Sequence, residues 1–211
     1  MPLKKSENTI LLTKTKSTKR NRKMSAQQIL QAALNVFSEV GYDAATTKMI
    51  AQRAGLNESL IQRYFQSKAN LLVEVTHACF EALKNEAPYL AQNNPEEEIY
   101  QFLINKLHHD TKNQDFLRIL ISRLLLDENI RRDLHSRKKS KPDLFFHKRL
   151  ANFKKKGLIK DNIVIKELVA SIMAQSMSVG FMERILFNKS IESCKKQFRI
   201  FVKNITQGIS V

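Results

Sequence analysis

Residues 46–65 read TTKMIAQRAGLNESLIQRYF, two short amphipathic segments on either side of one glycine. Ala51 is small enough to let two helices approach each other closely. Gly55, four residues later, suits a turn that needs a positive φ. Ile61 follows after six more residues and would fill the angle between the two helices. Because two short helices joined by one tight turn must cross at a steep angle, this spacing predicts a helix-turn-helix.

The segments around this motif also show helical periodicity. An apolar stripe that starts at Ile29 predicts a helix that opens at Ser25 and stops at Gly41. Ser67 is a suitable N-cap for a long helix after the motif. The rest of the chain continues in helical pieces, of which the last two cover approximately 162–188 and 191–208. No alternating strand pattern exceeds four residues, so the sequence predicts an all-α fold.

The formal net charge of +16, from 36 Lys and Arg against 20 Asp and Glu, suggests a polyanionic partner. Residues 1–23 carry eight Lys and Arg against one Glu, which predicts a flexible basic arm. Such an arm is either a solvated tail or an element that follows DNA phosphates or enters a minor groove. A second basic cluster, 131–160, is read as a solvated face, with an anionic effector, a membrane surface or a second DNA contact as alternatives.

Other function classes find little support in the sequence. There is no Gly-rich phosphate loop, no HExxH, no GxSxG and no pair of carboxylates on one helix face, so we expect neither an enzyme nor a cofactor. The two cysteines form no disulfide framework, and no His or Cys pair shows a dedicated metal motif. No segment is long and apolar enough to span a bilayer. We therefore expect a bacterial cytoplasmic protein without a membrane partner.

About a quarter of the chain, residues 25–75, agrees in order and without a gap with a known family of bacterial regulators. The agreeing positions are Ile29, Ala32, Ala33, Phe37, Gly41, Tyr42, Thr46, Thr47, Ile50, Ala51, Ala54, Gly55, Leu56, Tyr64, Phe65, Ser67, Lys68, Leu71 and Leu72. This pattern resembles the tetracycline-repressor (TetR) family. The resemblance implies a homodimer in which residues 24–75 form a three-helix DNA-binding domain. Residues 76–211 would form a helical body that binds a small-molecule effector and dimerises through its last two helices.

The second helix of the motif is expected to lie in the major groove, with its N-terminal residues nearest the base edges. Gln62 would contact adenine, Arg63 guanine or a phosphate, and Glu58 would accept a hydrogen bond from cytosine. The resemblance adds phosphate contacts at Thr46, Thr47, Tyr64 and Lys68, although the threonines are equally good N-caps and Tyr64 can also serve as a core residue. The full predicted set is Thr46, Thr47, Lys48, Asn57, Glu58, Ser59, Gln62, Arg63, Tyr64 and Lys68.

In the body, apolar side chains at helical spacing predict a core, part of which would line an effector cavity. The candidate ligand-binding residues are Phe102, Leu103, Leu107, Phe116, Leu120, Phe146, Met173 and Met177. The last two helices are apolar beyond one face, and small residues such as Ala174 and Gly180 would allow close helix approach. This pattern suits a four-helix dimer interface, with an intramolecular core as the alternative.

Two hypotheses about function follow from these observations. The first is a transcriptional repressor that binds a palindromic double-stranded operator and is released from it by a small-molecule effector. The second is an architectural or nucleoid-associated DNA-binding protein that binds no ligand. A mismatch cost of about 1–3 kcal/mol per base pair at a specific operator would separate the two.

Overall fold

The computed structural model of the chain describes the backbone of residues 7–85, 89–136 and 144–211, and the side chains of residues 21–79, 89–136 and 145–211. Over these ranges the chain contains helices and no strands, which confirms the predicted all-α fold. The elements are α1 Glu7–Ala44, α2 Thr47–Ala54, α3 Ser59–Phe65, α4 Lys68–Asn85, α5 Pro95–Lys112, α6 Gln114–Leu126, α7 Glu128–Ser136, α8 Leu144–Lys155, α9 Ile165–Ser176, a π-helix Met177–Leu186 and α10 Ile191–Ile209.

The helices form two compact units. The first consists of the chain up to Ala78 together with Ser122–Leu134, and the second consists of Cys79–Ile121 and His135–Val211. The first unit contains the predicted helix-turn-helix, and its core includes Ile29, Phe37, Ile50, Ala51, Ile61, Leu71 and Leu72, all of them buried. The sequence does not indicate that Ser122–Leu134 joins this unit. The boundary at residues 75 and 76 remains a proposal.

The first helix begins much earlier than the sequence predicts. α1 starts at Glu7, so the predicted start at Ser25 is wrong and the backbone of residues 7–23 is helical. The flexibility of the arm stays a prediction. The segment contains no Gly or Pro, and Lys and Arg are good helix formers. Because the buried face of the following turns already nucleates the helix, each added residue costs little. The predicted stop at Gly41 is confirmed by a backbone break with φ of 81° and ψ of 167°.

The core of the second unit is formed by α5, α8, α9, the π-helix and α10, and it includes Leu103, Phe146, Val179 and Phe198. The helix predicted for approximately 162–188 is found at 165–186, but its second half, from Met177 onwards, is a π-helix. Three consecutive residues of the π-helix, Val179–Phe181, are buried. The i→i+5 hydrogen bonding of a π-helix turns the chain less per residue than an α-helix does, which keeps consecutive side chains on one side.

A buried ion pair connects α5 to α8 inside the second unit. The carboxylate of Glu98 is fully buried and accepts hydrogen bonds from Arg149 Nη1 at 2.9 Å, the Tyr89 hydroxyl at 2.7 Å and the Gln92 backbone N–H at 2.9 Å. The Arg149 guanidinium also lies over the rings of Tyr89, at 4.8 Å, and Phe145, at 5.2 Å. Burial, together with the hydrogen bond to Glu98, raises the pKa of Tyr89 far above its ordinary value. One member of the predicted 131–160 basic face is therefore half-buried and paired with a core carboxylate.

Arg149→Met is expected to lower the free energy of unfolding by about 3 kcal/mol, because it leaves the buried Glu98 carboxylate without its cation. Urea denaturation measures this loss, and Lys148→Met, which changes the exposed neighbouring residue, is the matched control with little expected effect. Equal stabilities of the two variants would contradict a stabilising role for the Arg149–Glu98 pair.

Candidate nucleic-acid interface

The turn between α2 and α3 has the geometry that the motif requires. Gly55 adopts the left-handed conformation, with φ of 65° and ψ of 31°. The backbone N–H of Leu56 donates to the Ala51 carbonyl at 3.0 Å, and the N–H of Gly55 donates to Gln52 at 3.1 Å. These two bonds form a Schellman cap, which satisfies the last carbonyls of α2. Ala51 and Ile61 are both buried, as the helix-turn-helix prediction requires.

The start of each helix of the motif is capped by a polar side chain that the sequence singles out. Thr46 Oγ1 accepts from the Met49 N–H at 3.1 Å at the start of α2. Asn57 Oδ1 accepts from the Ser59 N–H at 2.9 Å at the start of α3. The capping alternative for Thr46 is therefore observed. Both side chains are exposed, so their remaining hydrogen-bonding capacity faces solvent.

The α3 helix presents one buried and one exposed face. Ile61 and Phe65 are buried, whereas Ser59, Gln62 and Arg63 are exposed. A recognition helix needs this division, because its apolar side holds it to the domain while its polar side remains accessible to base edges. The exposed residues are members of the predicted base-reading set.

Thr47 and Glu58 connect the two helices of the motif by a direct hydrogen bond. The Thr47 hydroxyl donates to Glu58 Oε1 at 2.5 Å. Since this bond uses the only proton of the hydroxyl, a phosphate contact through Thr47 Oγ1 would have to break it. Glu58 remains exposed, and its second carboxylate oxygen can still accept from a base. The structure thus gives Thr47 a positioning role towards Glu58 that the sequence does not indicate.

The side chains of Arg22, Arg63 and Tyr64 come together at the end of α3, and we call this group the Tyr64 cluster. Arg63 Nη2 donates to the Tyr64 hydroxyl at 2.9 Å, and its guanidinium carbon lies 5.0 Å from the ring centroid. The guanidinium of Arg22, from α1, lies 5.3 Å from the same centroid. The Tyr64 hydroxyl accepts a bond from Arg63 and keeps its own proton to donate. The cluster therefore presents two cations and one donor suited to phosphate oxygens.

Lys68 is the first residue of α4, and its ammonium is hydrogen-bonded within the first unit. Its ammonium donates to the backbone carbonyls of Tyr42 at 2.8 Å, Asp43 at 3.3 Å and Ala45 at 2.8 Å. Its nitrogen also lies 4.5 Å from the centroid of the Tyr42 ring. Since these bonds use all three N–H donors, a phosphate contact would have to replace one of them. Lys68 thus caps the C-terminal end of α1, where a cation is favoured by the helix dipole, and its phosphate contact stays a prediction.

One further residue, which the sequence pattern does not single out, contacts Tyr42 and Asp43 in the first unit. Arg123, near the end of α6, donates to the carboxylate of Asp43 and lies with its guanidinium carbon 4.9 Å from the Tyr42 centroid. Burial, and secondly the nearby charge of Asp127, raises the pKa of Tyr42. No local pattern could reveal this contact, because Arg123 and Asp43 are 80 positions apart in the chain.

The predicted ligand-binding residues lie mainly in the interior of the second unit. Phe102 and Phe146 stack at a centroid distance of 3.9 Å inside the core of the second unit. Leu103, Leu107, Phe116 and Leu120 are buried and Met173 packs against the core, whereas Met177 is 45% exposed. A surface cleft of about 290 Å³ is lined by none of them but by Asn94, Pro95, Glu96, Thr206, Gln207 and Ser210.

The π-helix and α9 leave an apolar stripe exposed. Ala170, Ala174 and Ser178 are exposed small residues, and the stripe continues through Met177, Met182, Leu186 and Phe187. The exposed face of α10 is more polar and includes Glu192, Lys196, Lys203 and Asn204. A dimer interface through the last two helices thus remains a proposal. The larger apolar area available to it lies on α9 and the π-helix.

Neither a metal site nor a membrane span is found in the described parts of the chain. Among those residues, no three His, Cys, Asp or Glu side chains are grouped closely enough to hold a metal ion. No helix in the same ranges is both long and apolar enough to cross a membrane.

Comparison with known proteins relates the motif to one family. Residues 29–75 match the family described as "Bacterial regulatory proteins, tetR family". The HTH-type transcriptional repressor KstR of Mycolicibacterium smegmatis is 33% identical over 84 residues, which are 39% of this chain and 41% of KstR. The HTH-type transcriptional regulator BetI of Proteus mirabilis is 44% identical over 46 residues, 22% of this chain and 23% of BetI. The chain therefore matches less than half the length of either curated relative.

Solved structures resemble the whole fold. A protein of Rhodococcus sp. assigned to the TetR family has a TM-score of 0.71 at 13% identity, covering 86% of this chain and 98% of that one. A TetR-family transcriptional regulator of Pseudomonas syringae pv. tomato has a TM-score of 0.63 at 18% identity, covering 89% and 97%. At such low identity these likenesses show the fold alone.

Lys68→Met is expected to lower the free energy of unfolding by about 1–3 kcal/mol, because three carbonyls lose their donor. It should leave the slope of log Kd against log salt for DNA binding unchanged. Lys48→Met is the matched comparison, since Lys48 is exposed on α2 and should change that slope by about 0.9 without affecting stability. A reduced slope with full stability in Lys68→Met would mean that Lys68 contacts a phosphate directly.

Proposed function

We propose that this chain, whose N-terminal domain belongs to the TetR family of bacterial regulatory proteins, is a sequence-specific DNA-binding transcriptional regulator. The observation that carries the proposal is the exposed polar face of α3, which is held by a glycine-capped turn and by the buried Ile61. A helix presented in this way can enter a major groove with Ser59, Gln62 and Arg63 towards the base edges.

Base reading and backbone binding would use different side chains. The Gln62 amide can donate to and accept from adenine at the same time, and Glu58 can accept from the amino group of cytosine. Lys48 and the Tyr64 cluster would hold the phosphates and thereby fix the position of α3 in the groove. Because such phosphate contacts release counterions, affinity should fall steeply as salt rises.

A homodimer would give the protein two recognition helices. The exposed apolar stripe on α9 and the π-helix supports this part of the proposal, because its small residues allow close packing against a second copy. A twofold dimer presents two identical motifs to the duplex, so the operator would be a palindrome with half-sites about one helical turn apart or a multiple of that distance.

We also propose that a small-molecule effector binds the helical body and releases the protein from its operator, which makes it a repressor. Support comes from the apolar and aromatic core around Phe102 and Phe146. The contacts of Arg123 with Asp43 and Tyr42 tie the end of α6 to α1, so a movement of α6 would act directly on the DNA-binding unit. An effector must bind the two conformations with different affinity to have this effect.

An architectural DNA-binding protein without a ligand is the second candidate. The observation that favours it is the net charge of +16, a large part of which lies in the basic segment 1–23. Such a protein would bind all sequences with similar affinity and lose them together as salt rises.

Selection of fragmented genomic DNA by the purified protein across a salt series distinguishes the two candidates. The regulator should retain one or a few palindromic sites at high salt, and the addition of small molecules made or consumed by the products of adjacent genes should release them. Uniform retention that disappears with salt would support the architectural protein. A protein that retains no DNA at any salt concentration would refute both.

Gln62→Ala is expected to reduce discrimination at one base pair of each half-site by about 1–3 kcal/mol while affinity for unrelated DNA stays the same. Competition binding against operators that differ at each position measures this effect. Gln52→Ala is the control, because Gln52 is an exposed glutamine of α2 outside the base-reading face. If Gln62→Ala weakens all sequences equally, Gln62 contacts the backbone and does not read a base.

A further inference from the structure

We propose that the N-terminal part of α1, residues 7–24, is a second DNA-binding element that lies along phosphates beside the groove occupied by α3. We call this part the helical extension. The inference rests on the proposed function, because it assumes that α3 binds duplex DNA. It adds a contact surface that contributes affinity without reading sequence.

The composition of the helical extension suits a polyanion. Its sequence contains six basic residues, Lys14, Lys16, Lys19, Arg20, Arg22 and Lys23, against Glu7 alone. Positions 16, 19, 20 and 23 recur at intervals of three and four residues (16 to 19, 16 to 20, 19 to 23), which is the spacing of one side of an α-helix. The backbone is helical through all of these positions. Four of the six basic positions therefore fall on one side of the helical extension.

The helical backbone decides how such an element can meet DNA. An α-helix with its side chains is about 10–12 Å across, whereas the minor groove of B-DNA is only about 6 Å wide. An arm that enters the minor groove must be extended, so the helical backbone excludes that alternative for residues 7–24. A helix of this length measures about 27 Å. It could follow the phosphates of about eight nucleotides along one strand.

The position of the extension relative to α3 is fixed inside the first unit. The guanidinium of Arg22 lies 5.3 Å from the centroid of the Tyr64 ring, and Arg63 lies 5.0 Å from the same centroid. No residue of α1 before Gly41 departs from helical dihedral angles, so the direction of the extension is set by the buried turns at Ile29 and Phe37. The end of the extension therefore meets the end of the recognition helix at the cationic Tyr64 cluster.

A membrane surface is a less suitable partner for the same charges. A helix that binds a bilayer surface needs a continuous apolar face opposite its basic face. The apolar residues of the extension are Ile10, Leu11, Leu12 and Met24. Three consecutive positions and one that follows twelve residues later do not have the spacing of a continuous apolar helix face. Phosphates of DNA require only the cations.

The test compares two variants of the full-length protein that lose equal charge. In the extension variant Lys16, Lys19, Arg20, Arg22 and Lys23 are replaced by Gln, which keeps a similar helix propensity. In the control variant five exposed body residues are replaced by Gln, namely Lys148, Lys155, Lys156, Lys166 and Lys196. Dissociation constants are measured across a salt series for a selected operator and for an unrelated duplex of equal length. Circular dichroism establishes that the helix content is kept.

We expect the extension variant to bind both duplexes at least tenfold more weakly, with the same preference for the operator as the unmodified protein. Its slope of log Kd against log salt should be smaller by about 0.9 for each lost phosphate contact. The double variant Arg22→Gln, Lys23→Gln should show a smaller change of the same kind. The control variant should keep the slope of the unmodified protein.

Several outcomes would overturn the proposal. Equal slopes in the extension and control variants would mean that only net charge matters, and a loss confined to the operator would mean that the extension reads bases. An unchanged DNA slope together with lost binding to phosphatidylserine–phosphatidylcholine vesicles would assign the charges to a membrane. If the unmodified protein binds DNA without an operator preference and the slope still falls, the regulator function fails while the extension stands. If the unmodified protein selects a specific operator but the slope is unchanged in the extension variant, the regulator function stands while the extension fails.

Discussion

The left-handed backbone at Gly55 is the constraint on which the DNA-binding unit depends. A positive φ at this position lets the Leu56 N–H return to the Ala51 carbonyl, so α2 ends within one residue and α3 can start in a new direction. A residue with a Cβ would be strained in this conformation, by about 1–2 kcal/mol. The orientation of the exposed face of α3, and with it every proposed base contact, follows from this one turn.

Many polar side chains of the motif hold the scaffold, and fewer of them remain for DNA than a motif-based assignment suggests. Lys68 caps α1, Thr47 positions Glu58, and Arg53 forms a two-bond ion pair with Glu39 at 2.7 Å. Because these side chains are already hydrogen-bonded within the protein, a polar residue at a motif position is not by itself evidence for a DNA contact. The side chains that remain exposed, such as Gln62 and Lys48, are the ones on which specificity and phosphate binding would depend.

Local signals explain which parts of the fold the sequence could predict. The start of α5 at Pro95 follows from a proline in the first turn and from the Asn94 N-cap, both of which act over a few residues. The fully buried Glu98 and its partner Arg149 are 51 positions apart, and only packing brings them together. The π-helix was also not predictable, because the same apolar residues fit an α-helix until the burial of Val179–Phe181 is known. The helical extension was not predicted either. Its charged composition suggests a flexible segment, but the buried turns that follow it in α1 nucleate the helix.

The net charge of +16 overstates the number of cations that can bind a polyanion, because several Lys and Arg side chains are hydrogen-bonded within the protein. In the body, Arg149 is paired with buried Glu98, Lys154 donates to the carbonyls of Asp161 and Ile163, and Lys160 donates to that of Gly208. In the first unit, by contrast, Arg22 and Arg63 remain exposed around Tyr64. A charge whose hydrogen bonds are already made gains little from a phosphate, whereas an exposed one releases a counterion when it binds. The electrostatic attraction to DNA is therefore expected to concentrate on the helix-turn-helix unit, where sequence would also be read.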